Sequence, residues 1–492
     1  MASVQTKSSW LCFREQGKFR AKPRKVPERE RLLASLFAAL AAYAVLAFTP
    51  QIFNDGDTYS HIAAGTRMLS EHAVLFRDPF SYTFAGQPWS AHEWLSEIVM
   101  ALAYLAGGWS SVALLFAGAF ALAAGLLAWH LARWFAPSTT LIVVALALSC
   151  MAGSLLARPH LLALPLLELW VAGLVIARSE HRKPSWKLLP VMTLWANLHG
   201  GFAFGFLLLA YAALEALIEE DDKLETLKSW GFFSVGAVVA ALLTPHFIDG
   251  LIFPFRLVAM SQLANIGEWG PANFATLQPF EIVIAAALYI FLSRGVKLPM
   301  GRLLISLLLL HLALQHVRHQ LVFAAVVPLL LAEPLAHALN ARSPSSSRTA
   351  YPGWILAALM LAACVSVARL SWPISLGERG AAPIYALAHV PKNVISTPVL
   401  NDYSFGGYLM FKGVPVFIDS RAELYGDDFL RNYSKLIRPD AAVLRATLEK
   451  YKIGWTILTP NSPTVAVLDL LPGWRRLYAD QIAVVHVRDL KR

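Results

Sequence analysis

The sequence predicts a polytopic α-helical membrane protein of about 11–13 spans with a small C-terminal α/β domain outside the bilayer. Three observations carry this. Of 492 residues, 57% are hydrophobic and only 15% charged, where a soluble domain carries about a quarter charged residues. Apolar runs near the length needed to cross a hydrocarbon core recur over the first three quarters of the chain. From about Ser371 the pattern changes to short strand-like and amphipathic segments.

The first span runs from about Arg31 to Pro50, and later apolar segments centre near residues 100, 120, 147, 168, 193, 210, 238, 286, 308, 327 and 362. Basic or mixed loops at 177–187, 219–228, 293–302 and 340–350 mark one face, which the positive-inside rule makes cytoplasmic. The connections at 197–201, 244–250, 265–273 and 315–320 then share the opposite, outer face. Between Asp57 and Arg158, both expected outside, three apolar segments are counted where an even number is needed. The expected division is a basic cytoplasmic tail (1–30), a membrane domain (31–371) with a first outer loop (51–92), and an extracytoplasmic domain (372–492).

In that last domain "NVISTPVLND", "VPVFIDS", "GWTILTP" and "IAVVHVRD" read as strands. "PIYALAHV", "DDFLRNYSKLI" and "AAVLRATLEKYK" read as helices between them, which predicts a mainly parallel sheet.

The net charge of +10 sits mostly in short blocks between apolar runs, the membrane pattern rather than a nucleic-acid surface. Three cysteines, Cys12, Cys150 and Cys364, form neither a metal spacing nor a disulfide framework. The N-terminal block lacks a small-residue cleavage site, so a cleaved signal peptide is not expected. No GxSxG elbow occurs, and "HEWLSE" fails the HExxH spacing.

The polar punctuation gathers where the spans meet the outer face. "FNDGDTYSHIAAGTRMLSEH" places Asp55 and Asp57 directly after the first span. An amphipathic helix follows, suited to lying along the interface. Asp57 also reads as a simple helix N-cap. Glu93 opens the next apolar segment, so carboxylates begin and end the first loop. Such groups can accept a proton from a hydroxyl or hold a divalent cation. Arg158 and His160 in "ARPH", His199 in "NLHGG", His246, Glu268 with Trp269, and His316, Arg318 and His319 fall on the same side. Arginine offers a fixed fork to phosphate, and Trp94 and Trp269 offer faces to a sugar. Each is also an ordinary interfacial anchor. In the C-terminal domain Asp402 and Asp419 follow apolar strand runs, and Asp419 with Arg421 reads either as a ligand-holding group or as a structural ion pair.

This arrangement resembles the GT-C superfamily of integral-membrane glycosyltransferases. The features are an N-in first span with Asp at its outer end, a long first outer loop with an amphipathic helix, many further spans and an outer C-terminal α/β domain. "DGDTYSHIAAGTRML" is similar to the pattern of the aminoarabinose and protein-mannosyl transferase branch, in which counting back from Tyr59 selects Asp55. A closer resemblance is to a family of bacterial multi-pass membrane proteins of no assigned activity. These share "DTYSHIAAG…RDPFSYT…HEWLSE", "NLHGGF" and "NDYSFGGYLMF…VFIDSRAELYG", which selects Asp57. The usual adjacent acidic pair is split here by Gly56.

The resemblance implies transfer of a sugar from a polyprenyl-phosphate donor to an envelope lipid, glycan or protein acceptor on the outer face of a bacterial inner membrane. Asp57, with Asp55 and Glu93, would be catalytic. Arg158, His160, His199, Glu268, Trp269, His316, Arg318 and His319 would hold the donor. Asp402, Asp419 and Arg421 are further candidates. No cofactor is demanded, with Mg²⁺ or Mn²⁺ on Asp55 and Asp57 as the alternative; membrane lipids are the other partner, and no nucleic acid is expected. The competing reading is a non-catalytic carrier, flippase or scaffold for lipid-linked sugars. A transporter would show inverted repeats and midplane charges, and neither is clear here. An O-antigen-type polymerase or ligase would show a long late outer loop instead.

Overall fold

The computed structural model describes residues 27–265, 267–339, 352–438 and 440–489. The loop expected at 340–350, Cys12 and most of the N-terminal tail lie outside these. Among the described residues thirteen α-helices precede the C-terminal region: α1 Glu28–Ala47, α2 Gly56–Glu71, α3 Trp94–Leu131, α4 Pro137–Met151, α5 Pro159–Ser179, α6 Leu189–Leu198, α7 Phe202–Glu219, α8 Lys223–Leu242, α9 Phe247–Val258, α10 Pro279–Arg294, α11 Met300–Gln315, α12 Gln320–Ala338 and α13 Pro352–Ser371.

Among the described residues seven helices are long and apolar enough to cross a membrane, or eight if α8 and α9, bent by 97°, make one span. The protein is a multi-pass helical membrane protein. The count falls below the expected 11–13 because several apolar runs become short helices: α6 has 10 residues, and α10 and α11 have 16 each.

The three apolar segments counted between Asp57 and Arg158 resolve into two helices. α3 has 38 residues, about 57 Å if straight, nearly twice a hydrocarbon core of about 30 Å. It is broken at Gly107 and Gly108, and Gly108 takes φ +59°, a region open to glycine and strained for other residues. The arm 94–106 lies beside α2, where the Cβ that Gly65 lacks would meet the Glu97 carbonyl at 1.9 Å. Beyond the break the chain runs back along α1. Phe53 meets Trp109 with ring centroids 5.2 Å apart, while Arg31 donates to the Trp129 carbonyl at 3.2 Å. α4 then returns to the starting end, where Arg158 pairs with Asp55. Two crossings, not three, separate these residues.

The polar groups sort to the two ends of the bundle. One end holds Arg31, Arg133 with Glu180, Arg178 with Glu219 and Glu220, and Arg302 with Glu333. The other holds Asp55, Glu93, Arg158, His199, His246, Glu268 and Arg318.

The C-terminal region adds α14 Ile384–Ala388, α15 Lys392–Ile395, β1 Val399–Asn401, α16 Gly406–Phe411, α17 Ala422–Leu436, α18 Ala441–Lys450, β2 Trp455–Leu458, α19 Pro463–Leu470, β3 Trp474–Ala479 and β4 Val484–Arg488. The sheet order is β1-β2-β4-β3. Only β1 and β2 are parallel; β2–β4 and β3–β4 are antiparallel, so the expected mainly parallel sheet is corrected to a mixed one. "VPVFIDS" forms no ladder strand. Its backbone is satisfied elsewhere: Val416 N–H donates to the Phe80 carbonyl, Tyr82 N–H to Val416, and Phe417 N–H to the Asn401 side chain. The first loop thereby enters the C-terminal core, with Tyr82 and Phe84 packed among Phe417, Tyr425 and Tyr433.

Candidate functional site

α2 sets the geometry. Tyr59, Ile62, Gly65 and Met68 recur every three residues and are buried, which turns Asp57 and His61, one helical turn apart, to a shared face. Asp55 stands at the N-cap with φ −152° and ψ 133°, yet its carboxylate caps nothing. Both its oxygens instead accept from Arg158, through Nε and Nη2. The N-cap expectation for Asp57 is corrected as well: Asp57 lies inside the first turn of α2.

The two aspartates are therefore unlike. Asp55 is locked, with 8% of its side chain accessible, while Asp57 keeps 22%. Arg158 Nη1 lies 3.0 Å from Asp57 Oδ2 and 2.7 Å from Glu268 Oε2. Glu268 Oε1 in turn lies 3.1 Å from Arg318 Nη1. Arg318 sits 4.3 Å over the Trp269 ring, a contact that orients its guanidinium. Burial pushes the Asp57 carboxyl up, Arg158 pulls it back, and the neighbouring Asp55 carboxylate pushes it up again, to about 6. Burial likewise acts to raise Asp55, but Arg158 overcomes it and holds Asp55 below the usual carboxylate range.

Gly56 between the aspartates has a steric cause. A Cβ there would meet the Ser404 carbonyl at 2.7 Å, and a Cβ on Gly407 would meet the Gly56 carbonyl at 2.0 Å. The "SFGG" turn of the C-terminal region is pressed against the N-terminus of α2, and only glycines allow backbones this close.

Beside this group lies a histidine-rich one. Glu93 and Glu97, one turn apart at the start of α3, face His61: Nδ1 is 3.2 Å from Glu97 Oε1 and Nε2 is 3.7 Å from Glu93 Oε2. His92 Nε2 and His199 Nε2 lie 3.6 and 3.5 Å from Glu93 Oε1. Burial opposes the charge on His61, but the Glu97 hydrogen bond and the Glu93 carboxylate raise it to about 9. Glu93 is driven up by burial and further down by His92, His199 and His61, ending well below the usual carboxylate range. His199 is pushed to about 3 by burial. Its Nδ1 accepts from the Gly201 N–H at 2.9 Å, so its Nε2 carries the proton that faces Glu93.

The structure thus brings Asp55, Asp57, Arg158, Glu268, Trp269 and Arg318 into one group, with Glu93 and His199 in the adjoining one. The remaining histidines back the site rather than front it. His160 Nε2 is 2.8 Å from the Ser154 carbonyl, His316 Nδ1 is 2.6 Å from the Trp269 carbonyl, and His319 packs edge-on to Trp269. Trp94 donates to the Asn197 side chain at 2.8 Å.

Asp402 caps the turn after β1, accepting from Ser404 N–H. Asp419 accepts from Arg421 Nε and Nη2 and from the Tyr425 hydroxyl, and Arg421 Nη1 reaches Asp78 of the first loop at 2.8 Å. Asp78 and Asp419 have no accessible side chain. These groups tie the first loop to the C-terminal region. Glu423, grouped with Asp419 and Arg421 from the sequence, instead accepts from Trp89 Nε1 of the first loop at 3.1 Å. His61, His92, Glu97 and Asp78 are the participants that sequence reasoning passed over. The matched one-turn spacings Asp57/His61 and Glu93/Glu97 were the available signal.

Asp55 and Asp57 as placed do not fit a divalent cation, because Arg158 takes both oxygens of one and contacts the other. Among the described residues no group of three or more His, Cys, Asp or Glu side chains is arranged to hold a metal.

No family model and no curated protein matches this chain. Among solved structures it is similar to the apo form of an oligosaccharyltransferase from Archaeoglobus fulgidus, with a TM-score of 0.49 and 13% identity over 86% of this chain and 69% of that one. A likeness this distant is silent on activity.

Proposed function

We propose that the protein is a membrane glycosyltransferase that moves a sugar from a polyprenyl-phosphate donor to a hydroxyl acceptor, with Asp57 as base. The observation that carries this is the split between the aspartates: Asp55 is spent on Arg158, and Asp57 remains accessible. A carboxylate near pH 6 is ionised at neutral pH and basic enough to accept a proton as a C–O bond forms. The acceptor hydroxyl gives its proton to Asp57, its oxygen attacks the anomeric carbon, and the bond to the phosphate oxygen breaks. Arg158 and Arg318 face the leaving lipid phosphate and stabilise its charge. The sequence resemblance to GT-C enzymes supports the same reading. It implies a site on the outer face and an acceptor that is an envelope lipid, glycan or protein.

The test uses purified protein in lipid vesicles, a panel of polyprenyl-phosphate sugars and candidate acceptors. Asp57→Asn is expected to lower transfer by about 10²–10⁴-fold. The wild-type rate is expected to fall about tenfold per pH unit below about 6, where Asp57 takes up a proton. Transfer that survives Asp57→Asn undiminished rules out this assignment.

A further inference from the structure

Glu268 bridges two guanidinium groups, 2.7 Å from Arg158 and 3.1 Å from Arg318. Each arginine gives Glu268 one Nη1 nitrogen, and two guanidinium groups meeting at a pair of oxygens is also how proteins hold a phosphate. The two cations are each fixed by other means. Arg158 is clamped by Asp55, and Arg318 lies over Trp269, whose carbonyl is engaged by His316. Their positions therefore do not depend on Glu268.

Glu268 itself is less constrained. It sits on a single 3₁₀ turn, Gly267–Trp269, and 30% of its side chain is accessible, against 8% for Asp55. Among the described residues its carboxylate accepts only from these two arginines. The local charges also bear on what can enter. Asp55, Asp57 and Glu268 already outnumber Arg158 and Arg318, so an arriving anion meets net negative charge while Glu268 stays in place.

We infer that the Glu268 carboxylate occupies the position of a substrate phosphate, and that a phosphate ester binds by displacing it and taking over Arg158 and Arg318. This rests on the reading of the site as one for a phosphate-linked donor, and adds how that anion is received. The ligand class is a phosphate ester, with the phosphate group alone as the shared chemistry.

The test measures binding, without turnover, to the full chain in nanodiscs. The probes are farnesyl phosphate, inorganic phosphate and farnesol. Glu268→Gln, with Glu268→Ala as a second variant, is expected to tighten farnesyl phosphate about tenfold, and Arg318→Gln to weaken it about tenfold, with farnesol unchanged. Inorganic phosphate following the same order assigns the effect to the headgroup alone; farnesyl phosphate alone responding means the lipid is also required. Unchanged or weaker binding in both Glu268 variants overturns the inference, as does no phosphate binding by any form. If the binding order holds but no sugar is transferred, only the enzymatic reading fails. If transfer depends on Asp57 but Glu268→Gln loosens binding, only this inference fails.

Discussion

Each end of the helix bundle carries an arginine surrounded by three carboxylates. Arg178 meets Glu215, Glu219 and Glu220, and Arg158 meets Asp55, Asp57 and Glu268. The chemistry is nearly the same, but the exposure of the central arginine is not. Arg178 has 3% of its side chain accessible against 18% for Arg158. Two small cavities, about 20 and 10 Å³, do occur at the Arg178 end. Their charged walls, Arg133, Arg178, Glu215, Arg302 and Glu333, are already paired with one another or with Glu180, Glu219 and Glu220. An arginine buried this deeply fastens helices together. An arginine that keeps part of its side chain accessible is available to a ligand.

The sharpest way to break the comparison is to remove the sealed arginine. Arg178→Gln takes the shared partner from the buried Glu215 and from the more accessible Glu219 and Glu220, and the expected loss is about 3 kcal/mol of stability, read as a fall in the unfolding midpoint. Asp57→Asn is expected to do the opposite. Above about pH 6 its ionised carboxyl is disfavoured in the folded protein, so the variant should match or exceed the wild-type midpoint, as often holds for residues kept for function.

A smaller effect is expected where the C-terminal region presses on α2. Gly407→Ala puts a Cβ 2.0 Å from the Gly56 carbonyl, so the backbones must part, at about 1–3 kcal/mol. Because this contact borders Asp57, transfer should fall along with stability, whereas Arg178→Gln should lower stability alone.

An effect spread over pH rather than seen at one condition is a pH dependence of stability from His61. Its folded value of about 9 lies above its ordinary 6.5. Its contribution is therefore complete below about 6.5 and lost as pH rises through about 9. The wild-type midpoint should decline over that window more steeply than that of His61→Gln. Parallel curves would show that Glu93 and Glu97 do not hold His61 charged.

Much of this site was legible because membrane burial makes polar groups conspicuous. Asp57, Glu93, Arg158, His199, Glu268 and Arg318 stand out from apolar surroundings, and charge in the loops sorts them to one end. What escaped was decided by contacts far apart in sequence. "VPVFIDS" has the alternation of a strand, yet its hydrogen bonds go to residues 80–82 and to the Asn401 side chain. The span count goes astray where Gly107 and Gly108 divide one long helix into an arm and a crossing. The different fates of Asp55 and Asp57 depend on Arg158, about a hundred residues away, which no local pattern specifies.

The most direct test compares the two ends in one assay: sugar transfer per folded molecule by Asp57→Asn and Arg178→Gln, normalised by unfolding signal. The account predicts that Asp57→Asn folds as the wild type does and loses transfer, while Arg178→Gln is less stable but transfers at the wild-type rate per folded molecule. Equal loss of transfer in both, or full transfer by Asp57→Asn, would contradict it.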